Sequence, residues 1–429
     1  MNANMNTVMR EATRLTRAGQ LLEATKILQR TLNGVHGSQG SAHSASGTSE
    51  MPIEGEFHVI DIETVATQTF AREPECRPLP RPRGRNPERT AIPRVGIAAL
   101  HEQWRGFRGP MPLPDAIPKQ APDPLPDGAR FVTGSYTNPV GTRSYKLYVP
   151  SGYHGQTIPL VVMLHGCTQN PDDFAAGTGM NKLAEDHLCF VLYPAQTPAA
   201  NGSKCWNWFK ASDQQRNRGE PSIIAGMTRQ ILDTYRVDAH RVHVAGLSAG
   251  GGMALIMAMT YPELYAAVGI HSGLPYAVAR DLPTALTLMQ PGGMSLEGRQ
   301  ATGISETQPL AAIVFHGDRD TTVHPGNGDQ VIAQCAPPPS GRRAQAGTKP
   351  FVTVQRGQVR NGHAYTRTTH YQVNGQPIAE HWLIHGAGHA WSGGSSRGSY
   401  TDPKGPDAAR EMLRFFSEHP QRQAPASTS

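Results

Sequence analysis

Two textures of apolar and polar positions divide this chain. From Phe131 onward, short apolar runs alternate with longer stretches of helical spacing. The runs Leu160–Leu164 (LVVML) and Ala311–Phe315 (AAIVF) are almost continuously apolar, as expected of parallel strands buried on both faces. Further strands are predicted at Arg143–Val149, Leu188–Tyr193, Val242–Ala245, Ala266–Ile270 and Ala379–Ile384. Between them, helical spacing covers Pro221–Tyr235, Ala249–Met259 and a closing Pro406–Phe416. This alternation predicts an α/β domain with a doubly wound, mostly parallel sheet over residues 129–420. Reactive groups are then expected on loops at the C-terminal ends of the strands.

Before residue 129 the pattern is different. Met5, Val8, Met9, Ala12 and Leu15 recur at helical spacing, Gly19 interrupts, and Leu21, Leu22, Ile27, Leu28 and Leu32 resume. A short helical hairpin over residues 1–33 is predicted, stopped by Asn33-Gly34. Residues 34–128 carry a Gly/Ser/Ala tract and then interleaved arginines and prolines between Arg72 and Arg89. Such a segment buries too little apolar surface to offset its ordering entropy, so it reads as a largely irregular linker. Residues 421–429 read as a disordered tail.

Composition narrows the functional classes. The chain has 429 residues, with 45 glycines, 36 prolines and only 38 % hydrophobic residues, which fits a globular core diluted by irregular chain. A formal charge of +6 favours anionic surfaces weakly. No zinc-type Cys/His spacing, Walker loop or RNA-binding aromatic motif accompanies it, so nucleic acid is not an expected partner. Five cysteines are too few for a disulfide-dense secreted scaffold. The N-terminus lacks a continuous apolar stretch of the signal-peptide kind, and no run approaches the ~20 residues that cross a bilayer. A cytoplasmic protein without a transmembrane segment is expected.

The chemistry concentrates in Gly246-Leu247-Ser248-Ala249-Gly250. The pentapeptide alone is weak, since Gly394-Ser395-Ser396-Arg397-Gly398 repeats the spacing. Only Ser248 lies between a predicted strand and a predicted helix, the setting that holds a nucleophile on a sharp, exposed turn. Small residues at 246, 249 and 250 let that turn close. A serine hydroxyl needs a base and the base an orienting acid, in the chain order Ser, acid, His. The strand AAIVF runs into His316-Gly317-Asp318-Arg319-Asp320, which offers two acids. The last strand runs into His385-Gly386-Ala387-Gly388-His389, where the glycine-flanked His389 suits the base and His385 a structural role. Oxyanion donors are expected from the Ala249 amide and from the Cys167 amide after LVVML. His165, His316 and His389 could converge at one sheet edge but lack metal-ligand spacing, so neither a metal nor an organic cofactor is expected.

Several segments together resemble the poly(3-hydroxybutyrate) depolymerase family of esterases. They are VVMLHGCTQNPDDFAAGTGMNKLAE, CWNWF, GEPSIIAGM, VHVAGLSAGGGMA, AAVGIHSGLPY, FHGDRDTTVHPGN and GAGHAWSGG. The resemblance covers most of residues 131–420. It implies an α/β-hydrolase domain with a Ser248, Asp320, His389 triad, and it favours Asp320 over Asp318. It also prompts a Cys167–Cys205 disulfide, which would weigh against the cytoplasm. The arrangement looks like intracellular depolymerases that carry the extracellular-type domain, although the wider family also implies extracellular members.

The expected partner is a polyester granule or a small ester, and the expected reaction is acyl transfer to Ser248 followed by hydrolysis. An aliphatic polyester suits an aromatic-lined groove, for which Trp206, Trp208 and Trp391 are the expected residues. Acetylxylan and feruloyl esters are alternative substrates, because the broad family includes those esterases. A third reading is a granule-surface binding protein with a vestigial hydrolase domain. Oligomeric state is not legible in the sequence.

Overall fold

The computed structural model describes residues 57–61, 125–290, 309–336 and 351–421, all within one compact unit, Ile53–Ser429. The N-terminal hairpin, the Pro/Arg stretch and the C-terminal tail after Gln421 lie outside the described residues, as does Cys76.

Strands β1 (Phe57–Asp61), β2 (Arg130–Asn138), β3 (Gly141–Val149), β4 (Ile158–Leu164), β5 (Phe190–Pro194) and β6 (Val237–Leu247) come first in the chain. They are followed by β7 (Ala267–His271), β8 (Ala311–Gly317), β9 (Phe351–Gln358), β10 (Ala364–Tyr371) and β11 (Pro377–Ile384). Among the described residues these form one sheet in the order β1-β9-β10-β11-β8-β7-β6-β4-β5-β3-β2. The central pairs β5·β4, β4·β6, β6·β7, β7·β8 and β8·β11 are all parallel. Antiparallel strands flank them at both edges. From β2 to β11 this is the strand order of the α/β-hydrolase fold.

The predicted central strands all form. The strands with weaker apolar patterning, β2, β9 and β10, join the edges and were not predicted. β1 falls within the segment expected to be linker and pairs with β9.

Helices α1 (Pro171–Thr178), α2 (Met180–His187), α3 (Gly219–Thr234) and α4 (Ala249–Thr260) connect the first half. Helices α5 (Leu282–Met289), α6 (Gly326–Cys335) and α7 (Ala408–Glu418) follow. Two apolar cores result, one on each face of the sheet. One joins Leu160, Val162, Val244 and Ile270 to α3 and α4; the other joins Val161, Met163, Ile313 and Phe315 to α1, α2 and α7. Alternate residues of β4 and of β8 thus feed opposite cores, which is why both strands read as unbroken apolar runs. α4 is buried almost all round, so its sequence MALIMAM shows little amphipathic period.

β4 is the switch point of the sheet. The chain leaves it toward β5 on one side and returns at β6 on the other. The loops after β4 and β6 are therefore neighbours, with Leu164 in register with Gly246. The loops after β8 and β11 are neighbours for the same reason, with Gly317 opposite Ile384. Such a crevice is where open α/β sheets bind their ligands.

Candidate active site

Ser248 sits between the end of β6 and the start of α4 at φ 57°, ψ −120°. A non-glycine residue with that φ is held against its own steric preference, and strain of this kind costs about 1–3 kcal/mol. The surroundings enforce it. The Ser248 amide donates to the His271 carbonyl at 2.9 Å, and the Ser248 carbonyl accepts from the Gly252 amide at 3.0 Å. A side chain on Gly246 would collide with the Gly250 carbonyl, and one on Gly250 with the Leu164 carbonyl. The small residues close the turn as the sequence suggested.

The decoy serine has another use. Gly394 and Gly398 pack against Gly177 of α1, where added Cβ atoms would meet backbone. That second pentapeptide is a backbone contact rather than an elbow.

The two acids after β8 are separated by geometry. Asp320 Oδ2 is 2.7 Å from His389 Nδ1, while Oδ1 accepts the amides of Thr322 and Val323 at 2.9 and 2.8 Å. Asp318 instead faces His385 Nδ1 at 3.0 Å and accepts the Gly386 amide at 2.7 Å. His385 Nε2 is occupied by the Thr366 hydroxyl at 2.8 Å. Asp318 and His385 thus clip the two loops together at the surface, and Asp320 and His389 form the more buried pair.

Burial by itself would raise the Asp320 carboxyl. Hydrogen bonds from His316 and His389, with the Val323 amide, outweigh burial and hold it well below the ordinary carboxylate range. Ionised Asp320 fixes the proton of His389 on Nδ1 and leaves Nε2 as the basic atom.

β6 and β11 carry Ser248 and His389 to the same edge. Among the described residues no hydrogen bond joins the Ser248 hydroxyl to the imidazole. Such bonds are often long in unliganded hydrolases and tighten around substrate.

His316 is a member that sequence reasoning missed. Buried at the end of β8, it places Nε2 3.4 Å from Asp320 Oδ2 and 2.9 Å from the Val323 carbonyl. In the sequence it stands out only as a metal-ligand candidate, although its place directly before the acid loop is the available signal. Among the described residues no group of three or more His, Cys, Asp or Glu side chains is arranged to hold a metal.

The loop after β4 approaches the elbow closely: a Cβ on Gly166 would lie 3.5 Å from the Leu247 carbonyl. Ala249, as the first residue of α4, has an amide without an intrahelical acceptor. Cys167 lies in the neighbouring loop and is disulfide-bonded to Cys205. The bond ties the loop to residues 201–208, as the Thr168 amide does by donating to the Ser203 carbonyl at 2.7 Å.

Beneath the loop, His165 Nδ1 donates to the Gly166 carbonyl at 2.7 Å, and Nε2 accepts the Gln196 amide at 3.1 Å. Burial pushes the His165 imidazole down to about 4, so it stays neutral in this role. Glu220, buried and pushed up by that burial, accepts from the side chains of Gln196 and Asn207.

The three indoles expected to line a groove do not. Trp206, Trp208 and Trp391 are 0 %, 6 % and 1 % exposed. Trp206 packs against His165, Trp208 against Phe209, and Trp391 between Phe174 and His271. Trp391 follows His389 by two positions, but its backbone pairs with Thr401 in a short ladder, β12 (Trp391–Ser392) and β13 (Thr401–Asp402), and its ring lies in the core. Their large apolar area is used to support the loops from below.

Residues 143–337 match the family model described as "Esterase PHB depolymerase". Feruloyl esterase B of Neurospora crassa is 31 % identical over 47 % of this chain and 72 % of its own length. The chain belongs to the PHB depolymerase esterase family. Another relative in this family, poly(3-hydroxyalkanoate) depolymerase C of Paucimonas lemoignei, is 33 % identical over 59 % of each chain. A probable acetylxylan esterase A of Aspergillus fumigatus is 32 % identical over 48 % of this chain and 57 % of its own. The chain therefore spans less than two thirds of the length of those two relatives. A solved acetyl xylan esterase from Aspergillus awamori aligns with a TM-score of 0.49 at 18 % identity, covering 67 % of this chain and 99 % of that one.

Proposed function

We propose that the chain is a serine esterase that hydrolyses the ester bonds of short-chain polyhydroxyalkanoate, in the first place poly(3-hydroxybutyrate). The observation that carries this reading is the Asp320–His389 pair at 2.7 Å on the sheet edge where Ser248 stands on its strained turn. His389 Nε2 takes the proton of the Ser248 hydroxyl as its oxygen attacks the ester carbonyl. Asp320 holds the imidazole in the required tautomer and stabilises its charge. The amides of Ala249 and Cys167 receive the developing oxyanion, each such donor contributing about 2.7–4 kcal/mol of barrier lowering. The alcohol end leaves with the proton from His389. Water, deprotonated by the same nitrogen, then releases the acid from the acyl-enzyme. Neither a metal nor an organic cofactor has a step in this sequence.

The polymer reading draws on the depolymerase C relative and its match over 261 residues. A second reading, an esterase for acetyl or feruloyl esters, is favoured by the esterases of comparable identity that match the same domain. Turnover separates the readings. Purified protein and its Ser248→Ala variant are incubated with amorphous poly(3-hydroxybutyrate) granules and with p-nitrophenyl butyrate. Release of soluble hydroxybutyrate by the wild type alone supports the depolymerase. Turnover of the small ester only supports the second reading. Granule binding without Ser248-dependent turnover of either would leave a surface-binding protein.

The Cys167–Cys205 bond supports an oxidising compartment over the cytoplasm expected from the N-terminus. Labelling of free thiols in the unreduced protein taken from cells tests that placement. No helix among the described residues is long and apolar enough to cross a membrane.

A further inference from the structure

With the three tryptophans in the core, one exposed aromatic side chain stands out beside the loops after β4 and β11. Tyr400 is 36 % exposed, and among the described residues it is the one aromatic side chain of that exposure. It is also held in an unfavourable backbone conformation, φ 53°.

Contacts on three sides keep it there. Its carbonyl accepts the Trp391 amide at 2.7 Å, which ties it to the segment just after His389. The residue before it, Ser399, is held by Asp173 through amide and hydroxyl, and its carbonyl accepts from Gln169 at 3.0 Å. Gln169 in turn accepts the Gly166 amide at 2.9 Å. The Tyr400 hydroxyl reaches the Thr168 hydroxyl at 3.1 Å. Thr168, next to the Cys167 donor, gives its own proton to the Cys167 carbonyl at 2.6 Å. The phenol is therefore the donor to Thr168, and its polar tip is committed. The exposed ring remains between the oxyanion loop and the histidine loop.

We propose that Tyr400 is a specificity-determining residue whose ring face takes the apolar flank of a linear, short-chain hydroxyacyl oligomer. This rests on the ester-hydrolase reading of the same site. An aliphatic polyester presents methyl and methylene groups between its carbonyls, and an aromatic face with a fixed tip meets those groups at little cost in side-chain freedom. Holding a strained, exposed aromatic by hydrogen bonds to both loops serves this end; a purely structural residue at the position needs no exposed ring.

The test uses the full chain and the linear trimer of 3-hydroxybutyrate. In a Ser248→Ala background, Tyr400→Ala is expected to weaken trimer binding, measured by calorimetry, by about tenfold, the scale of one aromatic contact. Tyr400→Phe, which keeps the face and loses the tip, is expected to stay within about threefold, the effect of one exposed neutral hydrogen bond. With Ser248 present, Tyr400→Ala should raise KM for p-nitrophenyl butyrate more than it lowers kcat. Unchanged trimer binding in Tyr400→Ala, or no trimer binding at all, overturns the proposal. So does an equal loss in both variants matched by equal falls in Tm, which marks Tyr400 as a loop anchor. Trimer binding that tracks Tyr400 in a protein that hydrolyses no ester would uphold this inference while the esterase reading fails.

Discussion

The Asp320 carboxylate meets His389 at 2.7 Å, and Asp318, two residues earlier, meets a different histidine. Both acids lie on one turn after β8 and both have imidazole partners, yet they do different work. Asp320→Asn should lower kcat by about 10⁴-fold, because the amide presents a donor to His389 and favours the wrong tautomer. Asp318→Asn should cost about 1–2 kcal/mol of stability through the weakened bonds to Gly386 and His385, with kcat reduced by less than about tenfold. Steady-state kinetics and thermal melts of the two variants check this. Equal kcat losses would contradict the division of roles.

The Cys167–Cys205 bond closes a loop with a sequence separation of 38 and ends on the residue whose amide is proposed to bind the oxyanion. Reducing it, or replacing both cysteines by alanine, is expected to cost about 2–4 kcal/mol of stability. If the freed loop shifts the Cys167 amide, kcat should fall by about 10²-fold at a temperature where the fold persists. Kinetics before and after reduction, beside circular dichroism, test the point. Full activity in the reduced, folded protein would refute it.

Trp206 and Trp391 behave as core residues in this account. Trp206→Ala and Trp391→Ala should each destabilise the fold by about 3–5 kcal/mol. Denaturant unfolding measures that cost. A variant of normal stability with a raised KM would return the side chain to the substrate groove.

Acid sensitivity follows from buried imidazoles. His165, His243 and His271 are almost wholly buried, and burial pushes them down to about 4, 3 and 3. Unfolding restores an ordinary value near 6.5, so the unfolded chain binds more protons below that pH. Stability conferred by the neutral rings is complete above ~6.5 and falls as the pH drops toward 4. The three protons that these imidazoles take up on unfolding contribute up to about 4 kcal/mol per pH unit in that window. His243 stacks on Phe416 with its Nδ1 unpartnered, so His243→Phe should flatten the slope by about 1.4 kcal/mol per unit. Urea unfolding between pH 7 and 4.5 provides the comparison, and an unchanged slope in the variant would count against it.

The centre of the sheet was legible because strands buried on both faces leave an unbroken apolar signature. LVVML and AAIVF could hardly be read otherwise, and the loops that follow them hold candidate site residues. Edge strands lack that signature. β2, with GSYTN, and β10, with TRTTH, are only partly buried apart from Thr369, so their polar positions hide them. Ser248 was separable from its decoy because the strand before it and the helix after it are both apolar. Asp318 and Asp320 were not separable by spacing, since either could reach a histidine from the same turn. Trp391 misled for a related reason. Closeness to His389 along the chain fixes its backbone near the site, while the pairing with Thr401 turns its ring inward.

The segment from Ser395 to Asp402 is moored at its middle to the loop after β4 and at its flank to Trp391. Residues more than two hundred positions apart thereby form one cooperative unit at the rim of the sheet. A single cut in that segment, or its local opening on warming, would slacken the oxyanion loop and the histidine loop together. Catalysis should therefore fade at a lower temperature than the one at which the sheet melts, since the rim can come apart while the strands beneath stay paired.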